Sequence, residues 1–219
     1  MKKNLTEMIF ILDRSGSMCG LEGDTIGGFN SMINKQKAED GDAIVTTVLF
    51  DDKMRIIHDR FDINDVAPMT EKDYFVGGCT ALLDAVGKSI NKTVNVQRHL
   101  PKDKRADKVI FVIITDGYEN ASREYTYDKI KKMIDHEQEK YGWEFMFLGA
   151  NIDAVSEGAK FGIREDRAVR YKSDAAGTAL NFDVVAEAVS NIRYSIGTGE
   201  RMDGSWKDRI EKDIKKRGE

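Results

Sequence analysis

The segment Val109–Ile114, VIFVII, constrains this chain more than any other. Every residue in it is apolar and most are β-branched. A short run with no polar face predicts a strand buried on both sides, the kind found in parallel sheets with helices above and below. Met8–Leu12, MIFIL, is a second such run. Elsewhere the apolar residues recur at helical spacing. Ile26, Phe29 and Ile33 form one set, with Gly27 and Gly28 leaving the start of that helix open. Leu82, Leu83, Val86, Ile90 and Val94 form the next. Ile130, Met133, Ile134 and Tyr141 follow, and Leu180, Val184, Val185, Ala188, Val189 and Ile192 mark a long helix.

Further strands are expected at Ala43–Phe50 (AIVTTVLF), at Trp143–Leu148 (WEFMFL) and, shorter, at Ala168–Tyr171. Asp51-Asp52-Lys53 is short and polar, which suits a hairpin turn into an antiparallel edge strand over Met54–His58. Ile152–Phe161 reads as a short helix with Asp153 at its start. Strands alternating with helices mean right-handed crossovers and a mostly parallel sheet. The expected fold is a doubly wound α/β domain over residues 5–195, with one antiparallel edge strand and helices on both faces. Residues 196–219 form a tail in which Trp206, Ile210 and Ile214 mark a short amphipathic helix. Three apolar residues make a thin stripe, so docking on the domain is preferred to partner binding.

Composition narrows the functional classes. The chain has 219 residues, 41% hydrophobic and 33% charged, with a net charge of −4. That suits a soluble globular protein and gives no overall basic face for nucleic acid. No apolar run approaches a membrane span. The N-terminus lacks a signal-peptide pattern, so a cytoplasmic location is expected. Two cysteines, Cys19 and Cys79, do not make a disulfide scaffold.

In open α/β sheets, ligands bind beyond the carboxyl ends of the parallel strands. The first strand delivers Asp13, Ser15 and Ser17 there. Val109–Ile114 delivers Thr115 and Asp116, followed by Gly117. The loop Gly77-Gly78-Cys79-Thr80 places Thr80 at a helix start. Asp13, Asp116, Ser15, Ser17 and Thr80 offer two carboxylates and three hydroxyls without imidazole, which is the donor chemistry of a hard cation such as Mg²⁺. Alternate spacing aims Asp13, Ser15 and Ser17 to one side, and Gly16 permits a tight turn. An ion so held retains affinity for one more anionic oxygen, which a carboxylate of another protein can supply. The same residues also admit plainer roles. Asp13 and Thr80 suit helix caps, the serines suit a turn, and Asp116-Gly117 is a common turn dipeptide.

Together, DRSGS (13–17), GGCTALLDA (77–85) and ITDGYEN (114–120) resemble the von Willebrand factor A-type domain and its metal-ion-dependent adhesion site. The resemblance covers about residues 5–195. It implies a Rossmann-like domain carrying Mg²⁺ or Mn²⁺ at the top of the sheet. It makes Asp13, Ser15 and Ser17 the first motif, with the two serines as direct ligands. Thr80 and Asp116 complete the set, directly or through water. It further implies metal-dependent protein binding, in which a partner's Asp or Glu completes the coordination sphere. Cys79 departs from the small residue or threonine found in many relatives.

Other residues carry less. Cys19 and Cys79 flank the site and read as two reduced thiols, with a redox latch between the loops as the sharper alternative. His58, His99 and His136 read as surface residues. Asp84 is expected to turn toward the site. Glu22, Asp24 and Glu119 add negative potential, and Lys102–Arg105 reads as a solvated loop. Two functions compete with the binding module. One is a metal-assisted hydrolase or phosphoryl-transfer enzyme using the same site. No general base, nucleophile elbow or phosphate loop supports it, so the chain is expected not to be an enzyme. The other is an interaction scaffold with an empty site.

Overall fold

A computed structural model describes residues 4–198 and 202–218. Six strands form one sheet: β1 (Thr6–Asp13), β2 (Ala43–Phe50), β3 (Met54–Asp62), β4 (Lys108–Thr115), β5 (Glu144–Ala150) and β6 (Ala168–Tyr171). Their order is β3-β2-β1-β4-β5-β6. All neighbours pair in parallel except β2 and β3, which are antiparallel. The helices are α1 (Glu22–Lys37), α2 (Leu82–His99), α3 (Tyr127–Tyr141), α4 (Ala154–Lys160), α5 (Ala175–Thr198) and α6 (Asp208–Arg217).

Side chains alternate across the sheet and feed two cores. Met8, Phe10 and Leu12 of β1 pack with Phe29 of α1 and Val185 of α5. Ile9 and Ile11 pack on the other face with Val86 of α2 and Ile134 of α3. Double burial explains the unbroken apolar runs Met8–Leu12 and Val109–Ile114 in the two central strands. It also fixes the site: the chain winds outward in one direction from β1 to β3 and in the other from β4 to β6. The reversal lies between β1 and β4, where a crevice opens at the strand ends.

The structure gives α1 the start that the sequence left open, and it corrects two readings of β3. The helix α1 begins at Glu22 and runs through both glycines. A Cβ on Gly28 would stand 2.3 Å from the Phe182 ring of α5, so that glycine permits close helix packing; nothing lies within 4 Å of one on Gly27. The edge strand continues past His58 to Asp62, with register shifts opposite Thr47. His58 is buried rather than a surface residue. Its ring stacks on Phe29 at 6.3 Å, and Nδ1 is 3.0 Å from the Thr47 hydroxyl. The tail helix docks as expected: Trp206 and Ile210 join the core, and the indole N–H donates to the Asp166 carbonyl at 2.8 Å.

Candidate metal centre

Asp13 ends β1 with its carboxylate fully engaged. One oxygen accepts from the Ser15 backbone N–H at 2.7 Å and the other from the Thr115 hydroxyl at 2.6 Å. The Asp13 carbonyl accepts from the buried Tyr74 hydroxyl at 2.6 Å. These three bonds hold the residue from the next loop, from β4 and from below. The chain then turns at Gly16, whose N–H donates to the Gly78 carbonyl at 3.2 Å. That bond ties the first loop to the one carrying Thr80.

The turn places Ser15 Oγ 3.0 Å from Ser17 Oγ. Ser17 Oγ donates to Asp116 Oδ1 at 2.5 Å. Asp116 Oδ2 is buried and has no hydrogen-bond partner among the described residues. Thr80 is buried, and a Cβ on Gly117 would lie 3.4 Å from both Thr80 Oγ1 and Ser17 Oγ. The three loops therefore bring all five residues, Asp13, Ser15, Ser17, Thr80 and Asp116, to one end of the sheet. Gly117 leaves the space over which the hydroxyls meet.

Asp13 does accept the Ser15 N–H at the turn, but the capping role suggested for Thr80 is not seen. The helix α2 starts at Leu82, and Thr80 makes no capping bond. Its first-turn N–H groups are met instead from the Asp116 loop. Leu83 N donates to Glu119 at 2.8 Å, and Asp84 N donates to Ser122 Oγ at 3.0 Å. Asp84 does not face the site as expected. Its carboxylate accepts the backbone N–H groups of Arg123, Glu124 and Tyr125. Glu119 and Asp84 thus bolt the Asp116 loop to α2 from both sides. Sequence reading missed this pairing because both acids lie in loops or helix starts, where acids are common.

No ion pair among the described residues compensates Asp13 or Asp116. Burial pushes the Asp13 carboxyl up to about 6, against hydrogen bonds that lower it. Burial raises Asp116 as well, with the Ser17 hydroxyl opposing. Arg14, between Asp13 and Ser15, does not relieve them. It pairs with Asp51 at 2.8 Å and lies 4.6 Å from the centre of the Phe75 ring. Among the described residues no three His, Cys, Asp or Glu side chains cluster at metal distances. A cation here would lean on hydroxyls, with two carboxylates in support. The donor set is oxygen only, and one buried carboxylate oxygen lacks a partner, so the residues fit a hard divalent ion. Cys19 and Cys79 are free and exposed.

No family model and no curated protein matches this chain. Solved structures do. Proximal thread matrix protein 1 from the mussel byssus aligns with a TM-score of 0.58 at 14% identity, over 86% of this chain and 47% of its own. A second form of that protein is described as having a zinc-occupied MIDAS motif. A von Willebrand factor type A protein from Catenulispora acidiphila aligns at 0.54 and 13% identity, over 84% of this chain and 42% of that one. Manganese-loaded TRAP from Plasmodium vivax aligns at 0.53 and 14% identity, covering 82% and 73%. This chain spans about half the length of the first two. At these identities the likeness shows the fold alone: a von Willebrand factor A-type, Rossmann-like α/β domain.

Proposed function

We propose that this chain is an intracellular protein-binding module in which Asp13, Ser15, Ser17, Thr80 and Asp116 hold a divalent cation, Mg²⁺ or Mn²⁺. A partner's Asp or Glu carboxylate completes the coordination. The observation that carries the reading is the buried, unpartnered Asp116 Oδ2 beside the linked hydroxyls of Ser15 and Ser17. A buried carboxylate oxygen without a donor is costly, and a cation is the partner that removes the cost. The zinc and manganese described for two neighbours support a divalent ion at this place in the fold.

The bound ion supplies a Lewis-acidic centre for an anionic oxygen. The rest is the work of this chain. Thr115 and the Ser15 N–H orient Asp13, and Tyr74 holds its backbone. Ser15 and Ser17 bring neutral oxygens, which leave positive charge to be satisfied from outside. Phe75 and Tyr118, each more than half exposed on the adjoining loops, give an incoming segment apolar surface.

Electron paramagnetic resonance of Mn²⁺ tests the reading. Wild-type protein should bind one equivalent, displaceable by Mg²⁺, and Asp116→Ala should not. A lysozyme-sized control without such loops sets the baseline. Absence of binding at millimolar Mn²⁺ would sink the proposal.

A further inference from the structure

Arg14 stands between Asp13 and Ser15 in the loop after β1, and its backbone is pinned on both sides. Its N–H donates to the Phe50 carbonyl at 2.8 Å, and its carbonyl accepts from the Gly77 N–H at 2.9 Å. Alternation sends its side chain away from those of Asp13 and Ser15, toward the turn between β2 and β3. There Nη2 pairs with Asp51 at 2.8 Å. The second Asp51 oxygen accepts from the Lys53 N–H at 2.7 Å, so both oxygens of this acid are engaged. Nε and Nη1 of Arg14 are buried and have no hydrogen-bond partner among the described residues.

Other buried arginines are treated differently. Arg167 donates to Glu144, to Asp166 and to the Met202 carbonyl. Arg193 donates to Gln36 and to the Gly41 carbonyl. The fold meets these two guanidinium groups with its own oxygens. Among the described residues Arg14 is the one cationic side chain with buried nitrogens left unmet. What covers it is a ring: the centre of Phe75 lies 4.6 Å from the guanidinium carbon. The face of a phenyl ring attracts the charge but supplies no oxygen for the N–H groups. Phe75 is itself 53% exposed, and it belongs to the segment 66–81, which has neither helix nor strand. An exposed ring over a buried cation is a cover that a better acceptor displaces. For a guanidinium that acceptor is an anionic oxygen, with which its hydrogen bonds are shortest and strongest.

We propose that the partner segment carries two acids. One completes the coordination of the cation. The second, close by in the same segment, displaces the Phe75 ring and accepts from Nε or Nη1 of Arg14. This rests on the reading of Asp13, Ser15, Ser17, Thr80 and Asp116 as a cation centre. Arg14 adds a requirement that the ion alone does not impose: a lone Asp or Glu meets half of the site.

Two fluorescein-labelled peptides test it by anisotropy on the full chain in saturating Mn²⁺. Gly-Asp-Asp-Asp-Asp-Gly offers its acids at every short spacing, and Gly-Asn-Asp-Asn-Asn-Gly offers one acid. Number alone favours the first by about fourfold. The two-acid contact should make it at least twentyfold tighter. Arg14→Lys keeps the charge and a partner for Asp51 but removes the guanidinium donors, so the ratio should fall to about fourfold. Lys53→Gln removes an exposed charge from the same turn and should keep the wild-type ratio. Phe75→Ala tests Arg14 without altering it, and should speed association of the four-acid peptide at least threefold in stopped flow. A wild-type ratio near four, or a high ratio that survives Arg14→Lys, overturns the proposal. So does an equal loss in Lys53→Gln, which would mean charge alone, or an association rate that Phe75→Ala leaves unchanged. If the single-acid peptide binds in Mn²⁺ and is released by EDTA while four acids add nothing, the cation centre stands and only this inference falls. If neither peptide binds, both fall.

Discussion

Ser17 Oγ donates to Asp116 Oδ1 at 2.5 Å, joining the loop after β1 to the loop after β4 across 99 residues of sequence. Asp116 Oδ2, the other oxygen of the same carboxylate, is buried and has no hydrogen-bond partner among the described residues. One half of Asp116 therefore holds the loops together, and the other half is where the proposed cation would sit. Ser17→Ala removes the bond and one of the proposed ligands at once. We expect it to cost about 1–3 kcal/mol of stability, since a buried charged acceptor loses its donor. Urea unfolding in EDTA checks this; a change within 0.3 kcal/mol, roughly the error of such comparisons, would mean the bond is unimportant.

The two adjacent glycines of α1 should respond oppositely to alanine. Gly27→Ala meets nothing and should gain about 0.5–1 kcal/mol from helix propensity. Gly28→Ala drives a methyl into the buried Phe182 ring and should lose about 1–3 kcal/mol. Denaturant midpoints of the two variants, measured side by side, decide it. Equal effects would place α5 farther from α1 than described.

Asp84→Ala strips three backbone N–H groups of their acceptor. Hydrogen bonds to a charged group suggest a loss of about 2 kcal/mol, discounted because the side chain is partly exposed. The Asp116 loop should also become mobile, seen as faster amide exchange over 117–125 with α2 unchanged. Slower or unchanged exchange there would show that the loop holds itself.

His58 gives a pH dependence. Burial lowers its pKa below the ordinary 6.5. The folded state then binds fewer protons than the unfolded one, so the neutral ring's contribution is intact above pH 6.5. It is lost as the pH falls from there toward the lowered value. Wild-type stability should therefore drop over that interval more than that of His58→Gln. Parallel curves for the two proteins, from urea unfolding at several pH values, would contradict the burial of this ring.

The sheet was legible in the sequence because its central strands are buried on both faces, which leaves runs such as VIFVII with no other reading. The gathering of Asp13, Ser15, Ser17, Thr80 and Asp116 at one end of the sheet was legible because three short motifs each follow a strand or precede a helix. What was hidden is tertiary. His58 sits in an unremarkable edge strand, and only the approach of Phe29 from α1 buries it. Asp84 faces away from the site because the backbone of 123–125, forty residues on, folds over it. Tyr74, in a segment without periodicity, reaches under Asp13 to hold its carbonyl. None of these contacts has a local pattern, since each partner comes from a distant part of the chain.

The measurement that bears most directly on the metal site is the melting temperature of wild-type, Asp13→Ala and Asp116→Ala proteins with and without Mg²⁺ or Mn²⁺. An ion that binds only the folded state stabilises it by RT ln(1 + [L]/Kd), about 2.7 kcal/mol at a hundredfold excess over Kd. The wild type should melt several degrees higher in millimolar metal, and neither variant should shift. An unshifted wild type, or variants that shift as much as it does, would contradict a cation held by these five residues.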